Sequence, residues 1–184
     1  MNTVLFHNGK TPRDVIVLSD NVYHSYLGEY FFGQTESIYF GGRYYAWGGL
    51  VNPPDSNVNM FLNAYTISNF SESPITAEGW LSSTLPGRAE ISPHFAAGNQ
   101  ANFPPTKPRV TIQSASNVLT TPTGGTYTFV RRVEPSLTLT KHDFQGMYII
   151  PPASSFVLFF LPPDDVEIKV KLAFGWWEEK LSRM

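Results

Sequence analysis

The sequence predicts an all-β fold: one domain over residues 1–184, built as a two-sheet antiparallel β-sandwich with jelly-roll wrapping. Three observations carry this. Phe156-Val157-Leu158-Phe159-Phe160-Leu161 is an unbroken apolar run, which suits a strand covered on both faces or one whose second face meets a partner. Pro162-Pro163-Asp164-Asp165 ends it, and then Val166, Ile168, Val170, Leu172, Phe174 and Trp176 alternate with Glu167, Lys169, Lys171, Ala173 and Gly175. That period of two is what a half-buried strand requires, because successive side chains point to opposite faces. No stretch repeats at 3.6 residues, so little helix is expected.

The elements follow in order. Residues 4–7 and 15–18 read as short strands around the turn signal Asn8-Gly9, and residues 1–18 together read as an N-terminal arm. Residues 19–33 are rich in Tyr and Phe without a clear period. Strands at 37–40 and 44–51 flank Gly41-Gly42. Residues 57–70 form the longest alternation, with Asn59, Phe61, Asn63, Tyr65 and Ile67 on one face and Val58, Met60, Leu62, Ala64 and Thr66 on the other, unless a bulge divides it. A strand at 75–83 follows. Residues 85–125 hold Pro86, Pro93, Pro104, Pro105, Pro108 and Pro122 and read as a long loop region, a projecting contact loop or a crossover between sheets, with a short strand at 109–113. Strands at 126–133, 136–140 and 147–150 lead to the closing pair, for nine or ten strands in all. Gly41-Gly42, Gly48-Gly49 and Gly124-Gly125 read as turn glycines.

Composition narrows the function classes. Hydrophobic residues make up 42 % of the 184 and aromatic residues 15 %, but charged residues only 15 %. A globular chain averages about 25 % charged. Few charges and many rings imply a surface covered by a partner or a ligand, or one made polar by Asn, Ser and Thr. The net charge is −2 and no basic stripe occurs, which argues against a nucleic-acid partner. With no Cys there is no disulfide framework, thiolate metal site or Cys nucleophile. The N-terminus does not read as a signal peptide, and no run is long enough for a membrane helix, so no membrane partner is expected.

Motifs that carry chemistry are absent. His7, His24, His94 and His142 form no H-x-H pair and no H-E-x-x-H. A metal held on a jelly-roll strand needs two imidazoles one residue apart, so that both face the same ion; no metal or cofactor is expected. Glycoside hydrolysis needs two carboxylates across a cleft, and Glu78 and Glu167 are the pair on strands. Asn69-Phe70-Ser71 matches a glycosylation acceptor. The remaining signal is aromatic: Tyr44, Tyr45 and Trp47 cluster, and Trp176 and Trp177 are adjacent on a strand, so one faces the core and the other is exposed or partner-covered.

The stretch Gly48-Gly49-Leu50-Val51-Asn52-Pro53-Pro54-Asp55-Ser56-Asn57-Val58-Asn59-Met60-Phe61-Leu62-Asn63, then Tyr65-Thr66-Ile67-Ser68-Asn69-Phe70-Ser71, and the closing Ala173-Phe174-Gly175-Trp176-Trp177-Glu178 resemble a small uncharacterised family of spore-forming Gram-positive bacteria. The resemblance covers about residues 40–180 and carries no activity over. It implies a bacterial, spore-associated structural role.

These readings converge on a non-enzymatic building block that self-assembles into an oligomer, lattice, fibre or crystal. The partner is a second copy, reached by an arm that adds a strand to an open sheet edge. The alternative is a carbohydrate-binding module stacking glycans on exposed rings. Val4, Phe6, Val15 and Val17 are the arm candidates, and Tyr44, Tyr45, Trp47 and Trp177 the ring candidates. A glycan-active enzyme using Glu78 and Glu167 is the third reading.

Overall fold

The computed structural model describes residues 2–3, 17–162 and 166–181, and the arm candidates Val4, Phe6 and Val15, like His7, lie outside them. Among the described residues the order is β1 (Asn2–Thr3), β2 (Val17–Leu18), α1 (Asp20–Leu27), β3 (Tyr30–Gln34), β4 (Ile38–Phe40), β5 (Tyr45–Asn52), β6 (Val58–Asn69), β7 (Ile75–Leu81) and β8 (Glu90–Ile91). It continues with β9 (Phe95–Ala97), β10 (Thr111–Val118), β11 (Thr126–Val133), β12 (Thr138–Lys141), β13 (Tyr148–Ile150), β14 (Ser154–Leu161) and β15 (Ile168–Lys180).

β1 and β2 pair as a two-stranded sheet of their own. The other strands form two antiparallel sheets packed face to face. Sheet I runs β11-β7-β14-β5-β10-β8, and sheet II runs β12-β6-β15-β3-β9, with β13 also on β6 and β4 also on β15. Successive strands β5, β6 and β7 alternate between the sheets, and so do β14 and β15. The closing pair is therefore no hairpin: β14 enters the middle of sheet I and β15 the middle of sheet II. This is jelly-roll wrapping, and it explains why the last strands are the most apolar. A central strand has neighbours on both edges and a sheet packed on one face.

The main core lies between the sheets. Phe40, Leu50, Leu62, Phe156, Phe160 and Trp176 are fully enclosed there. Phe156, Leu158 and Phe160 of β14 face this core, while Val157 and Phe159 face outward into a second cluster with Trp47, Ala115 and Val118. The unbroken run is thus covered on both faces by its own chain.

Several expectations are corrected. Residues 85–125 contain β8, β9 and β10, longer strand content than the predicted 109–113 segment. They extend sheet I beyond β5 and sheet II beyond β3, so they cover two edges. Short edge pairings of this kind leave little periodicity to read. Glu178 anchors the segment from β15. The backbone N–H groups of Arg109 and Val110 donate to its carboxylate at 2.9 and 3.0 Å, and the Trp176 indole N–H donates at 3.1 Å. Burial pushes the Glu178 carboxyl above its ordinary value and outweighs the opposite pull of those donors.

Gly48 and Gly49 lie inside β5 and not in a turn. A Cβ on Gly48 would sit 2.7 Å from Leu172 and 2.8 Å from Ile38, and one on Gly49 would strike the Phe156 carbonyl, so tight packing selects both glycines. α1 is the short helix of a stretch in which the sequence shows no clear period. It turns through the left-handed Gly28 at φ 76° and buries only His24, so it presents no apolar stripe for a period to show. In β6 the alternation changes face halfway. Leu62 pairs with Trp176 and Ala64 with Gly175, which leaves Asn63 as the extra residue of a bulge. Val58, Met60 and Leu62 then face the core before it, and Tyr65 and Ile67 after it.

A polar cleft and an apolar surface beside the single helix

The outer face of sheet II carries both features, and α1 divides them. Trp177 of β15 and Phe61 of β6 stand on neighbouring strands with rings stacked at 5.3 Å and 3°. His24 of α1 stacks on the opposite face of Trp177 at 5.2 Å and 11°. His24 is held in turn by two carboxylates, Nδ1 at 2.9 Å from Glu29 and Nε2 at 3.2 Å from Glu179. The Trp177 indole N–H donates to Glu179 at 3.2 Å. This ladder of rings fastens the helix to the sheet.

Two adjoining cavities of about 590 and 510 Å³ open beside the ladder and share Asp20, Gln145 and Trp177 in their walls. Both volumes fall in the range of small-molecule sites. The bulge turns Asn63 into the first cavity, where it is 9 % exposed. Its Nδ2 donates to the Tyr30 hydroxyl at 2.8 Å. Burial pushes that hydroxyl up and the Asn63 bond pulls it down, the first effect being larger. Gly175 leaves the room that Tyr30 fills, since a Cβ there would sit 2.5 Å from its hydroxyl oxygen. On the far wall Gln145 adopts the left-handed region at φ 46°, and the next residue, Gly146, lies against the Trp177 ring.

The apolar surface lies on the other side of α1. Val22 (49 % exposed), Tyr26 (68 %), Phe32 (52 %) and Phe95 (41 %) line two adjoining grooves that meet at Phe32. No Asp, Glu, Lys or Arg lines either groove among the described residues. Phe103, 96 % exposed, follows Asn102, which packs at Gly28 where α1 ends.

Of the described ring and arm candidates, Val17 and Trp177 share a cavity wall, and Tyr44, Tyr45 and Trp47 lie elsewhere. Val17 is half exposed and lines the first cavity. Tyr44 sits in the turn before β5 under the Arg43 guanidinium, 5.3 Å from the ring centre. Tyr45 stacks on Phe159 at 5.3 Å on the outer face of sheet I. Trp47 is 1 % exposed in the same cluster, with its indole N–H on the Pro86 carbonyl at 2.7 Å. Trp177 is 3 % exposed, covered by Phe61 and His24 and not by a partner. Neither Trp offers an open ring face, so neither is a stacking platform.

The other candidates also separate. Glu78 lies in β7 of sheet I and accepts from the Trp80 indole N–H at 3.0 Å, whereas Glu167 precedes β15 of sheet II, so the two share no cleft. Asn69 is buried and donates to the Ser73 carbonyl at 2.8 Å, which makes it no glycosylation acceptor in the folded chain. His94 pairs with Glu36 at 2.6 Å. No cluster of three metal-ligating side chains occurs among the described residues, and no helix there is long and apolar enough to cross a membrane. Sequence reasoning missed His24, Asn63, Gln145, Phe32 and Phe95. A signal for Asn63 was present, because a polar residue followed by Ala64 interrupts an apolar alternation.

No curated protein and no solved structure matches the chain. A family model matches residues 2–183, and the chain therefore belongs to the family of unknown function DUF6143.

Proposed function

We propose that this protein is a non-enzymatic building block that associates with copies of itself through the apolar surface of α1, β3 and β9. The observation that carries this reading is the joined groove of Val22, Tyr26, Phe32 and Phe95, with no Asp, Glu, Lys or Arg in its walls among the described residues. A chain with only 15 % charged residues has few means to keep such a surface soluble alone. The spore-associated setting implied by the family resemblance belongs to the same proposal.

Light scattering with negative-stain microscopy tests it. The expected result is a mass several times 20.6 kDa, with regular particles, sheets or fibres. The Phe32→Asp, Tyr26→Asp double variant is expected to return the monomer with an unchanged circular dichroism spectrum. A wild-type monomer at all concentrations overturns the reading. Deletion of residues 1–18 separates the surface from the arm: assembly lost only in the deletion moves the contact to the arm.

A further inference from the structure

We infer that the polar cleft between α1, β6 and the turn after β12 is a binding site for a neutral saccharide, held by the amides of Asn63 and Gln145. The inference is independent of self-association, since the cleft and the apolar surface lie on opposite sides of α1.

Two departures from regular backbone build the site. The bulge in β6 exists at one residue, and that residue is Asn63. Bulges re-aim single side chains, often beside functional sites. Asn63 is nine-tenths buried, its Nδ2 is committed to Tyr30, and its Oδ1 accepts no hydrogen bond from any described residue. Its Oδ1 is the amide's remaining acceptor on the cavity wall, where water or a ligand hydroxyl can meet it. The second departure is Gln145, a non-glycine residue in left-handed backbone, whose side chain lines both cavities. Such conformations persist where the surroundings enforce them, and they cluster at ligand clamps. Here Gly146, packed against Trp177, fixes the turn.

The chemistry of the walls selects the ligand class. An amide both donates and accepts, as a sugar hydroxyl does. Glu179, whose Oε1 already takes His24 and Trp177, adds an acceptor for hydroxyl protons at Oε2, while no Lys or Arg lines either cavity among the described residues. Among the described residues, the basic side chains in these walls are the imidazoles of His142 and His24, and His24 is already held by two carboxylates, so a phosphate or carboxylate meets little counter-charge from them. The rings of Tyr23 and Phe61 in the second cavity offer apolar contact for sugar C–H groups. This differs from the expected ring platform: hydrogen-bonding amides recognise the ligand, and the Trp177 ring is packed away.

The test is a titration of the full-length ¹⁵N-labelled protein, followed by the Trp177 indole N–H and the Asn63 and Gln145 side-chain amides. Glucose, mannose, N-acetylglucosamine and cellobiose at millimolar concentration are the probes, with spermidine and inorganic phosphate as charged controls. At least one saccharide is expected to shift all three signals. Gln145→Ala, in an exposed turn, is expected to weaken that binding about tenfold with the fold intact. Asn63→Ala is expected to abolish it, and Asn63→Asp to retain it. Shifts from spermidine or phosphate alone overturn the assignment, as do shifts confined to Trp80 and Tyr127 or no shift from any saccharide. Repeating the titration with Phe32→Asp keeps the outcome separate from self-association.

Discussion

The outer faces of the two sheets are made from the same kind of alternating strand, yet one is closed and the other open. On sheet I, Trp47, Val157 and Phe159 face outward and are still buried, because Ala115 and Val118 of β10 flank them and Leu85 and Pro86 of the same Pro-rich segment pack against them. On sheet II, among the described residues, one short helix covers Phe61 and Trp177 through His24 and leaves Phe32 and Phe95 exposed beyond it. A chain that spends a long excursion on enclosing one apolar face has left another uncovered. The difference locates intramolecular stability on sheet I and an available surface on sheet II.

The comparison breaks most visibly at Trp47. Trp47→Ala empties the centre of the second cluster and is expected to cost about 3–5 kcal/mol in denaturant unfolding. A loss below about 1 kcal/mol means that the outer face of sheet I is not a true core.

Glu178 is next, since it ties the covering segment to β15. Glu178→Ala strands the Arg109, Val110 and Trp176 donors and is expected to cost about 2–3 kcal/mol. It also sets a pH dependence. Its folded carboxyl lies above the ordinary 4.5, so the folded state holds the proton more tightly than the unfolded chain. This contribution to stability is complete below 4.5 and is lost as pH rises through the raised folded value. Glu178→Gln removes that slope; an identical pH profile for variant and wild type contradicts the assignment.

His24→Ala sharpens the comparison from the open side. Removing one ring of the ladder is expected to cost about 1–2 kcal/mol and to shift tryptophan emission to the red as Trp177 is uncovered. An unshifted spectrum means that the helix holds its place without the stack. The smallest effect on stability belongs to Phe32→Asp, about 1 kcal/mol, because half of the side chain is exposed and it loses an edge-to-face contact with Tyr30. Its main effect is expected on particle mass, and a large loss of stability shows that the surface is structural.

How much of this was legible varies with the physics of each element. β14 and β15 could be read because a strand must be apolar wherever it is covered: β14 is buried on both faces, and β15 alternates over its first half, where only the core face is buried. α1 could not, since it buries a single polar residue and owes its stability to the sheet beneath. Gly48 and Gly49 were misplaced because turn preference and close packing select the same residue type. Trp47 and Trp177 read as open or partner-covered rings because their burial depends on segments distant in the chain.

By itself, then, the sequence determined the class of fold and the strands at its centre. Alternation and apolar runs are local consequences of which face a residue buries. Tertiary structure alone decided which faces were covered, where β6 bulged and which side chains met. Asn63 and Gln145 lie more than eighty residues apart in the sequence. The cleft exists because the outer face of sheet II, β2, α1 and one turn close around them, and no short-range pattern encodes that meeting.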